Sequence, residues 1–175
     1  ECFSEPKRLK HIAQHIIDNH DRKTNSRRYN ALFAVANIKT LIAYYNIFKE
    51  LNTDLRISAI FTYEENEDLE FKQEHSKDSL EKIITDYNKM YNTNYHVTTF
   101  PAFASDLMKK IKTAQIDIVI VVGMMLTGFD AKVLNTLYVD KNLEYHNLLQ
   151  AYSRTNRVEH TTKPFGNIVC YRNLK

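Results

Sequence analysis

The chain has 175 residues, of which 43% are hydrophobic, and this suffices for one compact domain with a buried core. Its 24 lysines and arginines against 21 aspartates and glutamates leave a net charge of +3, which is too small by itself to identify a polyanion-binding protein. Cys2 and Cys170 belong to no metal-ligand spacing, so neither a structural zinc site nor a disulfide scaffold is expected. No apolar run is long enough to span a membrane and the first residues do not resemble a signal peptide, so we expect a cytoplasmic protein without a membrane partner.

The first third of the chain predicts a helix, a strand, a second helix and a second strand. Residues 9–20 have helical apolar spacing and are expected to form a connector helix, which the polar, basic stretch 21–28 follows. The continuous apolar run 31–36 is typical of a strand buried on both faces. A covering helix over 38–51 and a strand over 56–63 complete this part.

The remaining two thirds continue the alternation. The acidic segment 64–70 is expected to be a solvated loop rather than a metal site. The helix after it is predicted to begin near a capping serine, either Ser76 or Ser79. The predicted elements are helices over 76–91, 104–114 and 144–152, and strands over 117–122, 136–139 and 167–171.

Strands that alternate with helices predict an α/β domain whose sheet is mainly parallel and flanked by helices. The β-branched run 117–122 favours a central position in that sheet. Residues 1–28 are expected to be a connector helix and basic loop, and residues 29–175 the domain itself. In such sheets ligands gather at the carboxyl ends of the strands, which directs attention to the residues that follow strands.

Two clusters of polar residues follow the predicted strands in the last third. Gly128 and Asp130 lie in a Gly-Phe-Asp run, where glycine permits close backbone approach and the carboxylate can accept from a ribose hydroxyl or an arginine. Gln150, Arg154 and Arg157 are four and three residues apart, so a helix would place both guanidinium groups where they could bind one polyphosphate. Taken singly, the first cluster is also compatible with a local turn and the second with a solvated surface.

The two clusters together resemble motifs V and VI of the second RecA-like lobe of superfamily 2 helicases and translocases. Residues 122–130 correspond to motif V and residues 150–157 to motif VI, with Ser153 where that superfamily usually has glycine. This departure counts against the DEAD-box and related RNA helicases, but not against the superfamily. The longer runs 123–130, 134–141, 149–158 and 163–171 resemble the restriction (R) subunit of type I restriction-modification enzymes.

The resemblance implies a three-layer, RecA-like (P-loop NTPase-type) fold and a role for each motif residue. Arg157 would be the arginine finger of ATP hydrolysis, and Arg154 would hold a phosphate oxygen or the contact between lobes. Gln150 would orient the nucleotide or the neighbouring lobe, and Gly128 and Asp130 would contact the ribose or couple the ATP site to the DNA track. Thr127 would donate to a DNA phosphate.

The resemblance also implies cofactors and partners. ATP and Mg²⁺ would be bound jointly with a first RecA-like lobe that supplies the P-loop, and no Gly-x-x-x-x-Gly-Lys-Ser/Thr run occurs here. The chain opens without methionine, so we expect a piece of a longer polypeptide that is inactive alone, with its nuclease domain elsewhere. Partners would be double-stranded DNA and the modification and specificity subunits. We also expect self-association through the interface that normally faces the first lobe.

The basic stretch 21–28 offers a second possible DNA contact through Arg27 and Arg28, although a loop before a strand is also where solvated charge collects. Three other interpretations stay open from the residues alone. These are the second lobe of another superfamily 2 helicase, a noncatalytic DNA-binding module and a small-ligand α/β domain. The first predicts strand separation, the second predicts that Arg157 serves DNA binding, and the third lacks a positioned acid-base pair.

Overall fold

A computed structural model of the chain describes residues 5–62, 70–122, 131–142 and 166–172, and for residues 70–74 it describes only the backbone. Within these ranges the elements are, in chain order, α1 (Pro6–Lys23), β1 (Asn30–Val35), α2 (Ile38–Glu50), β2 (Ile57–Ile60), α3 (Glu70–Tyr91), a 3-10 turn (Val97–Thr99), α4 (Phe100–Lys112), β3 (Ile118–Val121), β4 (Leu134–Asp140) and β5 (Asn167–Cys170).

The five described strands form one parallel sheet in the order β2-β3-β1-β4-β5. Strand β1 is in the middle, where Phe33 pairs with Ile120 of β3 on one side and with Tyr138 of β4 on the other. Strand β3 is interior but not central, because it lies between β1 and β2. The prediction of a parallel sheet flanked by helices is confirmed.

The core lies around β1, where all six residues are buried. The ring of Phe33 is fully enclosed and meets Tyr44 of α2 edge-on, with ring centroids 4.7 Å apart. Helix α1 joins the same core through Leu9, Ile12 and Ile16, which are all buried. Burying each such side chain contributes about 1.5 to 3 kcal/mol, so α1 is an integral part of the packing. The division of the chain into a connector over residues 1–28 and a domain over residues 29–175 stays a prediction.

Helix α3 differs from its prediction because it begins at Glu70. Ser76 and Ser79 therefore lie inside the helix, and the prediction that either caps it is wrong. The hydroxyl of Ser79 donates instead to the carbonyl of His75, 2.8 Å away, one turn earlier. The residues before Ser76 are mostly good helix formers, and an apolar stripe shows only where a helix packs, not where it begins. The acidic residues 64–69 and the predicted helix over 144–152 lie outside the described residues.

His20 near the end of α1 is a fully buried histidine. Its Nδ1 lies 3.4 Å from the Tyr138 hydroxyl, and its Nε2 has no hydrogen-bond partner among the described residues. Burial lowers the pKa of His20 to about 4, because the imidazolium would lose its hydration without gaining a bonded carboxylate. His20 is therefore neutral in the folded chain near neutral pH.

We expect acid to destabilise the chain through His20. The unfolded state binds a proton below a pKa of about 6.5, whereas the folded state does so only below about 4. Stability from this group is thus complete above pH 6.5 and lost as the pH falls toward 4, by about 3 kcal/mol. Urea denaturation between pH 7 and pH 4 should show a flatter profile for His20→Leu. His11→Leu, at an exposed position of α1, is the matched control, and an equally steep profile for His20→Leu would contradict the assignment.

Candidate functional site

The carboxyl ends of the parallel strands define one edge of the sheet, which we call the carboxyl edge. Strand β3 ends there at Val121, two residues before the segment 123–130, and β4 ends there at Asp140, before the segment that begins at 143. The predicted site residues Thr127, Gly128, Asp130, Gln150, Arg154 and Arg157 all lie outside the described residues. Their roles stay predictions.

Within the described residues, the carboxyl edge is organised by Asp140. Its carboxylate is fully buried and accepts two bonds from the guanidinium of Arg8, at 2.7 and 3.1 Å. The Tyr44 hydroxyl donates to it at 2.6 Å and Nε of Arg172 at 3.0 Å. Arg8 also donates to the carbonyl of Tyr171, 3.0 Å away. One carboxylate therefore joins α1, α2, β4 and the residues that follow β5.

These contacts determine the charge state of the Asp140 site. Burial raises the pKa of the Asp140 carboxyl, but the hydrogen bonds from Arg8, Tyr44 and Arg172 outweigh it and hold the pKa below its usual range. Burial, and then the bond to Asp140, raise the pKa of Tyr44 well above its usual range. Asp140 is therefore an anion that accepts bonds from three side chains, which suits anchoring rather than proton transfer.

Arg27 and Arg28 lie at the opposite edge of the sheet, which we call the amino edge, just before β1 begins. The Arg27 guanidinium donates to Asp21 at 2.7 Å and to Asp54 at 3.0 Å. The hydrogen bonds with Asp21 and Asp54 raise the pKa of Arg27 despite some desolvation. Arg28 is exposed. Arg27 and Arg28, which the sequence does not distinguish, therefore differ in the structure. Among the described carboxylates, Asp21 and Asp54 hold Arg27 and none bonds Arg28.

Sequence reasoning missed the Asp140 site almost entirely. Asp140 itself left one signal, since an acidic residue ends an otherwise apolar strand. Arg8 left none, because it lies 132 positions away in the chain. Only the antiparallel course of α1 along β4, which brings Arg8 to Asp140 at one end and Lys23 to Asn135 at the other, makes these contacts.

The described residues also form an open groove between α2 and α3. Tyr45 and Lys49 of α2 both bond the Asp86 carboxylate of α3, at 2.8 and 2.6 Å. The polar side chains of Tyr45, Lys49 and Asp86 therefore bond one another across this groove.

No group of three or more metal-ligating side chains occurs within the described ranges. Among the described helices, none combines the length and apolar character that crossing a membrane requires.

Comparison with known proteins identifies the family. The family model described as type I restriction enzyme subunit R domain 3 matches residues 27–173. The chain belongs to the type I restriction enzyme R-subunit family. It is 50% identical to the SauCOLORF180P endonuclease subunit of Staphylococcus aureus strain COL, over the whole chain and 20% of that protein. A Methanocaldococcus jannaschii relative, described as a putative MjaVIIP endonuclease subunit, is 30% identical over 94% of the chain and 15% of its own length.

The R-subunit chain thus spans about one fifth of the length of its S. aureus relative. Solved structures add the fold. T4 UvsW superposes with a TM-score of 0.55 at 14% identity, over 97% of this chain and 26% of that one. Domain 2 of the Mss116p DEAD-box helicase superposes with a TM-score of 0.52 at 13% identity, over 95% and 51%. These likenesses confirm the RecA-like fold class, and the family match confirms the resemblance to R subunits.

Proposed function

We propose that this chain is the second motor lobe of a type I restriction enzyme R subunit. It contributes to ATP-dependent translocation on double-stranded DNA, which leads to cleavage by a nuclease domain outside this chain. One observation carries the proposal. The segments that resemble motifs V and VI follow β3 and β4, whose carboxyl ends lie at the same edge of one parallel sheet. Ligands of open α/β sheets bind at that edge.

The proposed division of work assigns charge stabilisation to this lobe. Arg157 offsets the charge that develops on the γ-phosphate in the transition state, as an arginine finger does. Arg154 holds a phosphate oxygen, or the contact with the first lobe, as a bidentate fork. Gln150 orients the nucleotide or the neighbouring lobe. Gly128 and Asp130 contact the ribose or couple the ATP site to the DNA track, and Thr127 donates to a DNA phosphate.

The donors available to this chain suit phosphate oxygens better than a metal ion. The proposed contacts are mainly arginines and an amide, and the buried carboxylate at this edge, Asp140, already accepts bonds from Arg8, Arg172 and Tyr44. We therefore assign the Mg²⁺ ligands and the P-loop to the first lobe of the same polypeptide. ATP supplies the free energy for movement, and the chain alone is expected to be inactive.

The partners follow from the same proposal. Double-stranded DNA is the track, the modification and specificity subunits complete the complex, and the first lobe completes the ATP site. Because these subunits act on intracellular DNA, we place the complex in the cytoplasm. The surface that normally faces the first lobe is expected to promote self-association of the isolated chain.

The test compares two properties of the parent R subunit in its complex. DNA-stimulated ATP hydrolysis and DNA binding are measured on the same samples of wild type and Arg157→Ala. Lys82→Ala, an exposed cation on α3, is the matched control. We expect Arg157→Ala to lose turnover and to keep DNA binding, and Lys82→Ala to keep both.

Two results would contradict the proposed function. Unchanged turnover in Arg157→Ala would remove the arginine finger. Lost DNA binding with a flatter salt dependence would favour a noncatalytic DNA-binding module, because a lost phosphate contact reduces the number of counterions released.

A further inference from the structure

The amino edge of the sheet brings together cationic residues from three separate parts of the chain. The carbonyl of Lys23, at the end of α1, accepts bonds from Asn135 of β4 and Asn167 of β5. Asn30, two residues after Arg28, donates through its side chain to the carbonyl of Ile111, the residue before Lys112. These bonds anchor Lys23, Arg28 and Lys112 close to the start of β1, β4 and β5. We call these three residues the amino-edge basic surface.

The carboxylates near this edge are already engaged by other side chains. Asp21 and Asp54 bond Arg27, and the buried Asp117 accepts two bonds from the Arg56 guanidinium, at 3.0 and 3.1 Å. Within the described part of the chain, no carboxylate bonds Lys23, Arg28 or Lys112. Their positive charge is therefore not neutralised by these partners.

The loop before β1 holds Arg28 outward at a cost in backbone energy. Asn25, Ser26 and Arg27 have positive φ values of 52°, 55° and 64°, and none is glycine. Three such residues in succession cost on the order of 1 kcal/mol each or more. Hydrogen bonds from Ser26 N to the Asp21 carbonyl and from Tyr29 N to the Thr24 carbonyl maintain the turn, together with the Arg27 bonds to Asp21 and Asp54. Backbone strain of this kind is concentrated at functional sites.

A purely local explanation accounts for part of this surface. Lysines in the last turn of a helix offset its dipole, and Lys23 and Lys112 occupy that position in α1 and α4. Arg28 does not, because it belongs to the loop. An exposed cation on a strained loop, at the same edge of the sheet as two helix-terminal lysines, favours an anionic partner.

We propose that the amino-edge basic surface contacts the phosphate backbone of duplex DNA. The choice of DNA rests on the proposed function. A protein partner fits less well, because protein interfaces have an apolar or aromatic centre. Among the described residues, the one exposed large hydrophobic side chain is Met90 of α3. The contact is independent of sequence, since lysine and arginine bonds to phosphates position a duplex without recognising bases.

This DNA contact is separate from the motor track proposed at the carboxyl edge. Strand β1 has six residues and spans about 20 Å, so the two edges meet different stretches of duplex. Loss of the amino-edge contact should therefore weaken DNA binding without changing the ATP site.

The test uses the full R subunit in its complex and the triple variant Lys23→Gln, Arg28→Gln, Lys112→Gln. The control is Lys10→Gln, Lys82→Gln, Lys89→Gln, which removes the same charge from exposed positions of α1 and α3. Binding to duplex DNA without a recognition site is measured from 50 to 200 mM salt. The slope of log K against log salt should be less steep by about 2 to 3 in the test variant, at about 0.9 per phosphate contact. The control should keep the wild-type slope, and kcat for ATP at saturating DNA should be unchanged.

Three results would overturn the proposal. An unchanged slope in the test variant would exclude the contact, and an equal loss in the control would show a general charge effect. Intact DNA binding with failure to assemble with the other subunits would instead indicate an acidic protein partner. Arg28→Glu alone, with a thermal unfolding curve, provides a check against misfolding. Failure of the proposed function can be told apart from failure of this DNA contact. It would appear as unchanged ATP turnover in Arg157→Ala, and it does not depend on how the salt slope of the triple variant changes.

Discussion

In the parent R subunit, kcat for DNA-stimulated ATP hydrolysis is expected to fall by about 10³ to 10⁵ in Arg157→Ala and by nearly as much in Arg157→Lys. The proposed role requires a planar fork of donors that binds two oxygens at once, and lysine offers a single ammonium on a flexible stem. Retaining the charge should therefore rescue little of the rate.

The kinetic constants separate this role from simple nucleotide binding. A residue that acts only in the transition state lowers kcat and kcat/KM together, whereas a residue that binds ATP equally in both states raises KM. Steady-state ATP titrations of wild type, Arg157→Ala and Arg157→Lys at saturating DNA would show which applies. Full activity in Arg157→Lys would argue against the fork, and a change confined to KM would make Arg157 a binding residue.

Replacing Asp140 is expected to produce the largest loss of stability among the described polar residues. Asp140→Ala leaves Arg8 and Arg172 without their shared anion, and removing one partner of a buried ion pair costs about 3 to 5 kcal/mol. The arginine side chains are 21% and 12% exposed, so they can partly regain water, and we expect a loss near 3 kcal/mol. Urea denaturation of the chain at pH 7 measures it, and Asp18→Ala on the exposed side of α1 is the matched control.

The pH dependence of this loss provides a second check. The folded-state pKa of Asp140 is lowered, so its stabilisation is present above the unfolded pKa of about 3.9 and disappears as the pH falls through the folded value. The stability difference between wild type and Asp140→Asn should be constant from pH 8 to pH 5 and shrink below pH 4. A difference that grows toward low pH, or a loss below about 0.5 kcal/mol at pH 7, would contradict an anionic anchor.

The order of elements could be predicted because periodicity is a local property. The apolar run 31–36 predicted β1, and the β-branched run 117–122 predicted β3 within one residue at each end. Element ends were less accurate. α3 begins six residues earlier than predicted, since charged helix formers carry no packing signal. Strand order was not predictable either, because β1 lies beside β3 and β4 through long connections that periodicity does not describe.

The sequence by itself determined the family, the parallel α/β class and the candidate motif residues, because these depend on which residues follow which strand. Only the tertiary structure decided that Asp140 anchors α1 to the carboxyl edge, since Arg8 reaches it from 132 positions away. It also decided that Arg27 and Arg28 differ, because Asp54 approaches Arg27 from the loop before β2. Hydrogen bonds and ion pairs act over about 3 Å. Residues that are far apart in the chain come within that distance only when the chain folds, so the sequence does not show which of them will bond.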